Sequence, residues 1–106
     1  MANLPSNTFG ISGELKDFSQ AQYEQYQPAV LRATRDSFFD FGSGNGALSA
    51  EAVVRGVVCR AAIETGILTG VDVKDIGNMR PPAVRWLAAR IQEHVKAVTD
   101  PAPDPN

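Results

Sequence analysis

Pro81-Pro82-Ala83-Val84-Arg85-Trp86-Leu87-Ala88-Ala89-Arg90-Ile91-Gln92-Glu93-His94-Val95-Lys96-Ala97-Val98 is the stretch that decides the fold. Val84, Leu87, Ala88, Ile91, Val95 and Val98 recur at helical spacing, so one face of a helix is apolar. Arg85, Gln92 and Lys96 fall on the opposite face. Two prolines open the run, where backbone donors lack helical partners in any case. The spacing predicts a helix over 81–98.

Upstream, Val54, Val57, Val58, Ala61 and Ala62 form a second stripe that ends at Thr65, with Val53 and Cys59 flanking it. Ser49 is its expected cap, with Glu51 in the first turn against the helix dipole. Gly66 suits a left-handed stop, after which Ile67 and Leu68 fold back as apolar anchors. Asp72 is read as the cap of a short turn over 73–76 that Gly77 ends. A first helix is expected from about Gln20, capped by Ser19. Its face is Tyr23, Tyr26, Val30, Thr34 and Phe38. Pro28 lies inside it and removes a donor, so a kink or break at Gln27 is expected. The fold class is therefore mainly α: a small bundle of about three helices over 19–98. Residues 1–18 read as an extended arm with a short strand at Phe9–Ile11. Residues 99–106 read as a mobile proline-rich tail. About ten residues of the arm and eight of the tail are expected to add nothing to the core.

The chain has 106 residues and a net charge of −2, with 43% hydrophobic and 21% charged residues. That is room for one globular domain and excludes a multi-domain enzyme. Residues 1–50 carry −2, residues 51–98 carry +2 and residues 99–106 carry −2. A basic surface that thin and interleaved argues against nucleic acid, an alternative that would use Arg80, Arg85 and Arg90. No apolar run approaches the ~18 residues of a membrane span. The first residues lack the basic and apolar regions of a signal peptide, so the expected setting is intracellular. One cysteine and one histidine leave no disulfide and no nitrogen–sulfur metal site.

Phe38-Phe39-Asp40-Phe41-Gly42-Ser43-Gly44-Asn45-Gly46 resembles the glycine-rich first motif of S-adenosylmethionine-dependent methyltransferases. Leu68-Thr69-Gly70-Val71-Asp72 resembles that fold's second strand. This alternative needs a strand ending at Asp40, although Phe38 continues a helical face. The chain also lacks room for the remaining strands. A glycine-rich link between two helices is the simpler reading. Asp40-Phe41-Gly42 also spells the kinase metal-binding triplet, without the motifs that give it meaning. His94 has no nucleophile at a recognisable spacing, Cys59 lies in an apolar face, and the pairs Glu14/Asp17 and Asp72/Asp75 read as surface and cap. Phe38, Phe39 and Phe41 cannot all share one stripe, and Trp86 lies one residue off its own. These aromatics, with Arg80 and Arg85, are the candidate partner-binding residues.

Arg60-Ala61-Ala62-Ile63-Glu64-Thr65-Gly66-Ile67-Leu68, Asp75-Ile76-Gly77-Asn78-Met79-Arg80-Pro81 and Val84-Arg85-Trp86-Leu87-Ala88 follow one another in that order. With Gly13-Glu14-Leu15-Lys16-Asp17-Phe18 before the first helix, this series resembles tail assembly chaperones of long-tailed bacteriophages. The likeness covers about half the chain, from Val54 onward. It implies a non-enzymatic helical protein of the host cytoplasm that binds the tape measure protein, keeps it soluble and helps recruit tail tube subunits. It implies no cofactor, metal or catalytic residue. A homo-oligomer and a longer frameshifted form are both open.

Overall fold

The computed structural model describes residues 2–40 and 46–100; the side chains of 2, 34, 36–40 and 46–52 are outside that description. The architecture is mainly α. Among the described residues, four helices, α1 (Gln20–Asp40), α2 (Gly46–Glu64), α3 (Val73–Asn78) and α4 (Pro81–Thr99), surround a core edged by a small sheet. Its strands are β1 (Ala2–Asn3), β2 (Glu14–Leu15) and β3 (Leu68–Thr69). They pair antiparallel in the order β1-β2-β3, with Ala2 opposite Leu15 and Leu15 opposite Leu68.

α2 is the central element. It packs against α1, α3, α4 and β3. Val58, Cys59, Ala61 and Ala62 are its buried hydrophobic residues, and the small volumes of Cys59, Ala61 and Ala62 let the flanking helices come close. α4 answers with Ala83, Leu87, Ala88, Ile91 and Val95, the expected stripe moved slightly toward the N-terminus. Val84 and Val98 are half-buried at its margins. From α1 only Tyr26 is fully buried among the described side chains, with Tyr23, Ala29 and Val30 packed at the edge. Gly66 ends α2 at φ +81°, a conformation only glycine takes without strain. Ile67 and Leu68 then turn into the core, 0% and 1% exposed.

Four local expectations are corrected. α1 runs unbroken through Pro28. Pro28 and Glu24 are both exposed, so the carbonyl that loses its donor faces water, and packing on α2 sustains the helix. Ser49 lies three residues inside α2 rather than at its cap, because the helix formers Ala47 and Leu48 extend it to Gly46. The turn expected at 73–76 is the six-residue helix α3, which passes through Gly77. Asp75 accepts a hydrogen bond from the Asp72 N–H at 3.1 Å at its start.

The fourth correction concerns the arm. Residues 2–19 hold no helix, but they fold back on themselves through a turn at Thr8–Phe9 instead of running extended, and Phe9–Ile11 is not a strand. The Asn7 carboxamide takes both the Phe9 and Ile11 N–H groups, at 3.0 and 3.1 Å, so those donors are satisfied locally instead of in a ladder. Nor is the arm separate from the core. Leu15 is buried, and Leu4, Ile11 and Phe18 pack against the cluster. The Lys16 N–H donates to Ile67 O at 2.8 Å. Ser19 and Gln22 form a reciprocal capping box (2.8 and 3.3 Å) that launches α1. Gln22 Nε2 also donates to Thr65 O at 2.8 Å, which joins the start of α1 to the end of α2. The α1–α2 pair is thus an antiparallel hairpin closed at its base. The tail from residue 101 lies outside the described residues.

Gly13 is the tightest point of the arm. A Cβ there would lie 2.7 Å from Thr69 O and 3.2 Å from a Val71 methyl. Gly13→Ala is expected to cost about 1–3 kcal/mol as overpacking. Leu87→Ala, which empties a fully buried site, is expected to cost about 2–5 kcal/mol. Urea unfolding checks both: the midpoint falls and the slope is unchanged.

Candidate functional site

Trp86 is the sequence candidate that the structure places in a defined setting. It projects half-buried from α4, one step off the buried stripe. Phe9, carried in from the arm, lies against it with ring centroids 6.1 Å apart and planes tilted 48°. The Arg90 guanidinium carbon is 5.9 Å from the indole centroid, and Arg90 Nη2 pairs with Glu93 at 2.8 Å. Arg90 Nε is buried there without a hydrogen-bond partner. Such aromatic pairs contribute about 0.5–1.5 kcal/mol beyond the area they bury. Phe9 remains 43% exposed, so the cluster is a surface feature.

Beside it, an open groove of about 580 Å³ runs between the arm and the α3–α4 junction. Ile11, Val71, Met79 and Ala83 supply its apolar lining; Asp75, Asn78 and Arg80 supply its polar rim. The start of α4 brings no anion-binding donors to this groove. Pro81 and Pro82 have no N–H, and the Ala83 and Val84 N–H groups both go to Arg80 O, at 2.9 and 3.2 Å.

The other candidates are dispersed. Arg80 and Arg85 are exposed, at the cap and on the outer face of α4. Arg90 is already engaged by Trp86 and Glu93, and five residues separate it from Arg85, which turns the two onto different faces. The three arginines do not form one basic surface. Phe38 and Phe39 stand in the last turn of α1, with side chains outside the described set, and Phe41 lies outside the described residues. The strand required by the S-adenosylmethionine alternative is absent, since α1 remains helical through Asp40. Leu68–Thr69 is a strand, but it pairs antiparallel with the arm and not in a doubly wound sheet.

His94 serves the fold. Its Nε2 is 2.7 Å from Lys16 O, and its ring meets Phe18 edge-on at 6.0 Å. Cys59 is wholly buried, with Sγ 3.8 Å from Val84 O. Burial pushes its thiol up to about 12, against a smaller opposing effect of Arg60. Burial also pushes the Tyr26 hydroxyl up to about 12, assisted by the nearby Cys59 and Tyr23. Neither group is a nucleophile or base near neutral pH. Among the described residues, no three His, Cys, Asp or Glu side chains come together as a metal site, and no helix is long and apolar enough to cross a membrane.

Sequence reasoning missed Phe9, Asn7 and the apposition of Gly13 with Gly70, where a Cβ on Gly70 would lie 3.1 Å from Gly13 Cα. The one available signal was Asn7 and Gly10 set between apolar Leu4 and Ile11, a turn composition. Comparison with protein-family models, with curated proteins and with solved structures found no match.

The two buried hydroxyl and thiol groups set an alkaline limit on stability. In the unfolded chain Cys59 ionises near 9.0 and Tyr26 near 10.0, whereas the native state holds both protons up to about 12. Raising the pH therefore strips protons from the unfolded state first. Stability is full below about pH 9 and is lost as pH rises toward about 12. Urea midpoints taken across that range are expected to fall steadily. The Cys59 thiol should react with Ellman's reagent only after unfolding.

Proposed function

We propose that the chain is a non-enzymatic assembly protein of the phage tail chaperone type, which shields apolar helical segments of a tape measure protein until tail tube subunits replace it. The observation that carries this reading is the outer half of the α1–α2 hairpin. Leu31 is 57% exposed and Val53 is 56% exposed. The Gln22–Thr65 bond sets the register of the hairpin. Counting from it, Leu31 and Val53 stand about three residues, or about 5 Å, from level with one another. Phe38 and Phe39 lie farther along α1 toward the same end. Two long helices with aliphatic groups facing water at one height suit helix-in-groove packing against a third helix. A contact limited to a few such residues is also small enough to release.

The resemblance of residues from Val54 onward supplies the class of partner, and Trp86 is the second contact expected. Coexpression with a phage tape measure protein, the partner this reading assigns, tests it. The expected result is a soluble tape measure protein that copurifies with this chain. The double variant Leu31→Glu, Val53→Glu keeps its helical circular dichroism and binds about tenfold or more weakly. A tape measure protein whose solubility is the same with and without this chain overturns the assignment.

A further inference from the structure

We propose that residues 5–12 form a hinged lid, clasped shut by Phe9 on Trp86, whose opening bares the indole face and widens the groove beside it. The lid is braced from within. Asn7 Nδ2 donates to Pro5 O at 3.0 Å and to Ile11 O at 2.9 Å, and Asn7 Oδ1 accepts from the Phe9 and Ile11 N–H groups. Among the described residues, these bonds stay inside 5–12 and none runs to the helices. The segment is thus built to move as one piece.

Its ends are fixed. The Leu4 N–H donates to Gly13 O at 2.9 Å and closes the base of the loop. Just beyond, Gly13 sits against Thr69 O, the Lys16 N–H is bonded to Ile67 O, and His94 Nε2 meets Lys16 O at 2.7 Å. The hinge therefore falls where the loop joins the fixed residues Leu4 and Gly13, between a self-contained loop and a pinned strand. Open space lies on both sides of the loop: about 690 Å³ toward Asn3, Glu14 and Thr69, and about 580 Å³ toward Val71, Met79 and Ala83. What holds the lid down is apolar: the Phe9 ring on Trp86, and Ile11 half-buried against the core. Short self-braced segments held by few apolar anchors open at low free energy, on the microsecond-to-millisecond scale of lids. The lid acts through Trp86 and does not depend on which partner the chain takes.

Trp86 is the single tryptophan of the chain, so its fluorescence reads the clasp directly. In Phe9→Ala, acrylamide quenching of Trp86 is expected to rise about twofold with far-ultraviolet circular dichroism unchanged, as for a locally opened segment. Phe9→Tyr, which keeps the ring, is expected to restore the wild-type quenching. Relaxation dispersion on the unmodified chain should give residues 5–12 one shared exchange process that Glu14 and Lys16 lack. Unchanged quenching in Phe9→Ala, no exchange over 5–12, or Glu14 and Lys16 exchanging at the lid's rate would each overturn the proposal; the last means that the whole arm peels away.

Discussion

Close packing on the small-residue face of α2 is the constraint on which the rest of this structure depends. Cys59, Ala61 and Ala62 present little volume. Backbones can therefore approach, and Leu87, Ala88 and Ile91 of α4 fill the space from one side while Tyr26 of α1 closes it from another. A larger side chain on that face would push α1 and α4 apart together, because both rest on the same helix. The same closeness accounts for the chemistry of Cys59 and Tyr26: burial disfavours their charged forms, and both protons are held.

The sheet edge is a consequence of that packing. β3 emerges from the Gly66 turn with Ile67 and Leu68 directed inward, and this leaves carbonyls that need donors. The arm supplies them: Lys16 donates to Ile67 O, and Leu15 fills the adjoining apolar site. Strands of two residues have little stability of their own. Their register is held by the fit of Gly13 against Thr69 and by the bond from His94 to Lys16 O. The histidine that invites a catalytic reading is a peg between arm and helix.

The functional reading follows from what this packing leaves over. Among the described residues, Leu31 of α1 and Val53 of α2 are left exposed to water. Trp86 occupies the opposite situation: a large side chain at the margin of α4, covered by a loop from far away in sequence. Aromatic and aliphatic groups so placed are what the proposed partner contact is built on, because a binding surface needs exposed apolar groups.

Much of the helical architecture was legible from residue order alone. Leu87, Ala88, Ile91 and Val95 declared the buried face of α4, Gly66 declared the end of α2, and Ser19 declared the start of α1, because each reports a local rule of period, handedness or capping. Local rules also misled. Pro28 signalled a break and Ser49 a cap, but long-range packing and strong helix formers overrode them. Of the candidate site, the sequence by itself singled out Trp86 and Arg80. It was silent on Phe9, which is 77 positions from Trp86. Only the tertiary structure decided that the arm belongs to the core, that Asn7 folds it into a loop, and that the loop ends on the indole. The physical reason is that these contacts join residues distant along the chain, through apolar fit and a close glycine approach that leave no periodic trace in the sequence.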